Sequence, residues 1–174
     1  PLGAPNPIVL GPMAVTGFNS NGTLAPGTGL VPAVASTNPQ TFTAPTGAFP
    51  NQLAAIGLQP ASGRAYVISS GASPNGPLRF NHMVQGLVSV FDTATRTEIK
   101  AAQTVASVRQ EAPLNLNRGI NFDTVSVPRL FQSNPLALGW GRDGSHAWVV
   151  VQNSDLVVRL TTDATGTPTV GLPL

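Results

Sequence analysis

From Phe49 onward, short apolar runs alternate with clusters of Gly, Pro, Asn, Asp and Ser, the pattern of β-strands joined by tight turns. Leu53 to Leu58 predicts a strand, Pro60-Ala61-Ser62-Gly63 a turn, and Ala65 to Ser69 a second strand. Gly86 to Asp92 predicts a third strand, Thr93-Ala94-Thr95 another turn, and Thr97-Glu98-Ile99 the start of a fourth. A second set follows: Leu136 to Trp140, His146 to Val151, Leu156 to Leu160, and Thr167 to Val170. Its first turn, Arg142-Asp143-Gly144-Ser145, carries an Asp-Gly hairpin signal, because Asp and Gly tolerate positive φ.

The two sets are copies of one cassette. Ala55-Ile56-Gly57-Leu58, followed by Arg64-Ala65-Tyr66-Val67-Ile68, recurs as Ala137-Leu138-Gly139-Trp140, followed by His146-Ala147-Trp148-Val149-Val150. The second strands lie 82 positions apart (Tyr66 to Trp148) and the third strands 69 (Leu87 to Leu156). The difference of 13 residues is an insertion after Ala72 of the first copy. A fixed strand frame with a variable loop is the arrangement in which loops carry recognition. Four short antiparallel strands per copy predict an all-β chain of propeller-like blades. The first blade spans 49–100 with a long inserted loop at 71–85, and the second spans 134–174. Residues 101–133 read as a connecting loop region, with helical or strand potential at 101–109 and a short strand at Thr124 to Val127. Propellers close with roughly 4–8 blades. Two blades therefore make an incomplete ring, to be completed by another polypeptide, by symmetry mates or by further sequence.

Residues 1–48 form an extended Pro/Gly-rich segment, with one strand expected at Ile8-Val9-Leu10 running on towards Thr16. Asn19-Ser20-Asn21-Gly22 reads as a turn, and Asn21-Gly22-Thr23 is a formal glycosylation sequon. The chain opens at Pro1 without an initiator Met or a charged leader, which reads as a processed product or an excised segment.

Composition narrows the function classes. Charged residues are only 9% of the chain, against about a quarter in ordinary domains. That suits an exported polar β protein. The net charge is +2, and the Arg residues are dispersed from Arg64 to Arg159 without a run, unlike a nucleic-acid surface. The absence of Cys removes disulfides, thiol catalysis and Cys-based haem attachment from the chain. No apolar stretch reaches the ~18 residues of a membrane-spanning helix.

Candidate chemistry is sparse. His82 lies in the inserted loop beside Arg79, Phe80 and Asn81, while His146 opens a repeated strand in register with Arg64. The acidic residues form no close pair, and Asp92 and Asp143 suit turn positions. Asn115, Asn117, Asn121 and Asp123 make an oxygen-rich loop of the kind that holds Ca²⁺, without the EF-hand spacing. No nucleophile elbow, P-loop or dinucleotide fingerprint occurs. Tyr66, Phe91, Trp140 and Trp148 fall within strands and are expected to pack between blades. The residues expected to meet a partner are Arg79, Phe80, Asn81, His82, Asn117 and Arg118.

Gly63-Arg-Ala-Tyr-Val-Ile-Ser69 and Gly86-Leu-Val-Ser-Val-Phe-Asp-Thr-Ala-Thr95 resemble the YVTN-type β-propeller repeats of exported prokaryotic proteins. Phe49-Pro-Asn-Gln-Leu-Ala54, Gly71-Ala-Ser-Pro-Asn-Gly-Pro77 and Asn115-Leu-Asn-Arg-Gly119 are similar to the propeller portion of large bacterial proteins that also carry c-type haem domains. The resemblance implies a periplasmic or extracellular setting and a non-catalytic scaffold or docking role beside a haem c partner module. With no haem-attachment motif here, any redox centre would belong to that partner. Two other readings stand: an enzyme with a site in the propeller channel, of lactonase or quinone-dependent dehydrogenase type, or a surface-assembly subunit whose residues 1–48 cross a neighbour.

Overall fold

A computed structural model describes residues 7–13, 47–72, 84–100, 102–105, 108–111, 113–117, 132–162 and 168–174. The chain is built of β1 (Phe49–Leu58), β2 (Arg64–Ala72), β3 (Val84–Asp92), β4 (Thr97–Glu98), β5 (Ala102–Val105), β6 (Val108–Glu111), β7 (Leu114–Asn115), β8 (Pro135–Trp140), β9 (His146–Val151), β10 (Leu156–Thr162) and β11 (Pro168–Pro173). A 3-10 turn at Gln152–Ser154 links β9 to β10. The strands form two sheets. The first runs β1-β2-β3-β4 with β7 also paired to β3, and the second runs β6-β5-β11-β10-β9-β8. Neighbours are antiparallel except β11 and β5, which are parallel.

The duplication extends to individual strand partners. In the first sheet Ile56 pairs with Val67, Gly57 with Tyr66 and Leu58 with Ala65. In the second, Leu138 pairs with Val149, Gly139 with Trp148 and Trp140 with Ala147, each 82 positions on. The third strands match as well: Tyr66 faces Val90 where Trp148 faces Arg159, and Ile68 faces Val88 where Val150 faces Val157. Even an irregularity recurs, because the pairing shifts after Leu53 in β1 and after Pro135 in β8. Gln52 and Asn134, also 82 apart, both adopt positive φ at the strand entry.

Side chains alternate faces along a strand, so this register defines two faces in each sheet. Face A of the first sheet carries Ile56, Leu58, Ala65, Val67, Leu87 and Phe91, and its face B carries Ala55, Gly57, Tyr66, Ile68, Val88 and Val90. The main core joins face B of the first sheet to face A of the second, with Tyr66, Ile68, Val88 and Val90 against Ala147, Val149, Val158 and Leu160. Opposite faces therefore meet. The repeats stack head to tail, as translated copies do, rather than as a two-fold sandwich. Leu138 and Trp140 of β8 sit directly over Gly57, and the Trp140 ring meets Tyr66 edge-on at 4.7 Å.

The two outward faces differ. On face A of the first sheet, Ile8 and Leu10 pack on Ala65, Val67 and Phe91, and Met13 packs with Ala48 on Leu87. Residues 7–12 have no regular strand; Met13 alone makes a bridge to Ala48. The expected strand at Ile8 to Leu10 is thus an irregular strap held by side chains and by the Gly11 N–H donated to Glu98 Oε2 at 2.8 Å. Lys100 pairs with the same carboxylate at 2.8 Å.

The described residues of the connecting region include three strands. β5 and β6 form a hairpin on the outer edge of the second sheet, and β7 returns to the first. Within the span that the sequence leaves open to helix or strand, Ala102–Val105 and Val108–Glu111 are strands, with β5 taking the backbone groups on the edge of β11. The chain passes from the first sheet to the second and back, which stitches the two together. Leu114 and Leu116 fill the space between the sheets. At the turn end, buried Gln59 donates from Nε2 to the Gly144 carbonyl at 2.8 Å and to Thr162 Oγ1 at 3.1 Å. Of the aromatic residues expected between the sheets, Tyr66 and Trp140 lie there. Phe91 lies under the strap, and Trp148 is on the outward face of the second sheet.

A Cβ on Gly57 would stand 2.9 Å from Leu138 Cδ2 and 3.2 Å from Trp140 Cδ1, whereas a Cβ on Gly139 would meet nothing within 4 Å among the described residues. Gly57→Val is expected to destabilise the chain by about 1–3 kcal/mol through overpacking. The repeat-equivalent Gly139→Val should stay within about 0.5 kcal/mol of the parent, both read from urea unfolding of the purified chain.

Candidate functional site

The residues singled out in the sequence separate into two groups. Arg79, Phe80, Asn81 and His82, with Arg118, Asn121 and Asp123, lie outside the described residues, as do the sequon at Asn21 and the strand expected at Thr124 to Val127. Asn115 and Asn117 are described, and both are fully buried. Asn115 Nδ2 donates to Gln85 Oε1 at 3.0 Å, and Asn115 Oδ1 accepts the Asn117 N–H at 2.9 Å. Asn117 Nδ2 donates to the Gln132 carbonyl at 2.7 Å, and Asn117 Oδ1 accepts the Gln132 N–H at 2.6 Å.

These contacts change what Asn115 and Asn117 do. Their amide oxygens, expected to face a cation or a partner, accept the N–H groups of Asn117 and Gln132, while the amide nitrogens tie 113–117 to Gln85 of β3 and to Gln132 on the approach to β8. Buried Gln85 lies at the centre of the cluster, and little in the sequence marks it beyond a lone uncharged polar residue at the head of an apolar strand. The Gln132 carboxamide is buried with neither its nitrogen nor its oxygen paired among the described residues. Among the described residues, no three acidic or histidine side chains come together as a metal would need, and no helix is long and apolar enough to cross a membrane.

The turn acids act locally. Asp92 Oδ1 accepts the N–H groups of Ala94 (2.9 Å) and Thr95 (2.8 Å). The Thr95 N–H bond is the main cause holding the carboxyl below its usual range. Asp143 is lowered in the same way, first by the N–H and then by the hydroxyl of Ser145. His146 lies 3.8 Å from Asp143 and contacts Ser145 Oγ, so it belongs to this surface turn. Burial pushes the Tyr66 hydroxyl up to about 12 against the pull of neighbouring Arg64, keeping it neutral within the core.

Two surface features remain. An open groove of about 370 Å³ lies where the two repeats enter their first strands, lined by Asn51, Gln52, Ser70, Asn134 and Asn153. Ala72 and Val84, the strand ends on either side of the inserted loop, also line it. The second feature is face B of the second sheet. Val150 is 41% exposed and Val157 36%, yet their repeat equivalents Ile68 and Val88 are both 0% exposed. Half-buried Trp148 lies among them with the Arg159 guanidinium 5.7 Å from its ring centroid, a cation–π distance. Gly139 leaves open space beside that ring. The apolar run Ala147 to Val151 was the available sequence signal, since an uninterrupted run is the mark of a strand covered on both faces.

Comparison with protein-family models, with curated proteins and with solved structures finds no match to this chain.

Asn117→Ala is expected to lower stability by roughly 2–3 kcal/mol, because it strips partners from buried backbone groups of Gln132. Thermal unfolding of the variant beside the parent chain measures this, and an unchanged midpoint would remove the cluster's structural role.

Proposed function

We propose that the chain is a non-catalytic scaffold of propeller type, two blades of an unfinished ring, whose open face B docks the next blade of a larger assembly. One observation carries this reading: the repeats share a single register and stack head to tail. A head-to-tail stack always ends in a face whose counterpart inside the stack is buried. Here that face is apolar, bears Trp148 beside Arg159, and has no cover among the described residues. Aromatic residues and Arg are the side chains enriched where interfaces concentrate their energy.

The haem-bearing neighbour and the periplasmic or extracellular setting rest on the sequence resemblance alone, while the geometry supports docking. Residues 7–13 lie against their own first sheet, which favours this reading over one in which the strap crosses a neighbour.

Native mass spectrometry of the particle isolated from its source, combined with hydroxyl-radical footprinting of Trp148, tests the proposal. The expected particle is heavier than one chain, with Trp148 protected relative to the purified chain. A folded single-chain particle with Trp148 equally oxidised would overturn it.

A further inference from the structure

The docking reading leaves open which blade comes next, and the internal junction identifies its chemistry. Within the chain, Leu138 and Trp140 of β8 descend on Gly57 and the Tyr66 ring. The equivalents of Leu138 and Trp140, 82 positions earlier, are Ile56 and Leu58. These are 59% and 62% exposed on β1. The equivalents of Gly57 and Tyr66, 82 positions later, are Gly139 and Trp148. Gly139 has open space where Gly57 is filled. One chain thus carries both halves of a second junction, unused, at its opposite ends.

Resting on that docking reading, we infer that the occupant of face B is a second copy of this chain, stacked head to tail with its Ile56 and Leu58 over Gly139 and Trp148. The retained glycine is the independent sign. In the isolated chain nothing requires a glycine in mid-strand, where it costs backbone entropy. A neighbour descending on it does require one. The strap does not obstruct this arrangement, because Ile8, Leu10 and Met13 cover β2 and β3 of face A and leave Ile56 and Leu58 of β1 bare. At the internal junction β8 approaches β1 and β2 directly, and Leu114 and Leu116 join the core between the sheets, a place the strap would take at the second junction. Repeated head-to-tail contacts close into a ring when the rotation permits. At about 4–8 blades per ring, roughly two to four copies would suffice.

The chain has no Cys, so each engineered thiol is unique. Full-length Ile56→Cys and Val150→Cys chains, which keep Gly139, are mixed and treated with a short bis-maleimide; they are expected to cross-link with each other, while neither cross-links with itself. Should Ile56→Cys not fold, Leu58→Cys replaces it. Gly139→Trp in the otherwise native chain should weaken self-association about tenfold or more in sedimentation, with the thermal midpoint of the dilute, unassociated chain unchanged. Self-cross-linking of Val150→Cys would mean a face-to-face dimer and overturn the inference. So would a folded mixture that gives no product at the highest soluble concentration, or a Gly139→Trp chain that associates like the parent. If the native particle protects Trp148 with a different polypeptide, the second copy is excluded and docking stands; if Trp148 is exposed there, both fall.

Discussion

Everything in this structure depends on how Leu138 and Trp140 fit over Gly57 against the Tyr66 ring. The fit needs a strand position without a side chain, an aromatic ring beside it, and two large apolar groups two residues apart on the facing strand. An edge-on aromatic pair adds about 0.5–1.5 kcal/mol beyond its buried area. Its larger effect here is geometric. With Gly57 beneath Leu138, the two sheets have one close-packed alignment, and that alignment brings face B of one repeat to face A of the next. A two-fold sandwich would bury equal faces and leave nothing to extend. This stack leaves one face strapped and one face open.

Much of this was legible in the sequence because strands announce themselves by apolar runs and turn residues. All eight strands expected in the two cassettes are present, including the short fourth strand at Thr97–Glu98 and the late strand that becomes β11. The turn acids Asp92 and Asp143 also do what their positions suggest, since a side chain that binds backbone two or three residues away is a local matter. Long-range events were not legible. Nothing local to Ala102–Val105 says that it will pair in parallel with β11. Nothing local to Asn115 and Asn117 says that their amides will meet Gln85 and Gln132. The oxygen-rich spacing that suggested a cation loop is equally the spacing of a buried amide cluster. Composition does not report burial, and it is burial that puts Asn115 and Asn117 in the amide cluster.

The division of labour follows from these contacts. The apolar stack fixes the frame, and the β5–β6 hairpin and β7 stitch the sheets so that they cannot separate as independent units. The amide cluster anchors the end of the connecting region, and Gln59 ties the first turn of one sheet to the turn of the other. What the frame leaves exposed among the described residues is face B, the bare positions on β1, and the groove lined by Asn51, Gln52, Ser70, Asn134 and Asn153.

The most direct measurement is thiol accessibility at one pair of repeat-equivalent positions in the dilute, purified chain. Ile68→Cys and Val150→Cys occupy the same register in their sheets, so their reactivity compares the two B faces alone. Head-to-tail stacking predicts slow labelling at position 68 and fast labelling at position 150 under native conditions, with equal rates once both chains are unfolded. Equal protection of the two thiols in the folded chain would mean that both B faces are buried together, and the account would be wrong.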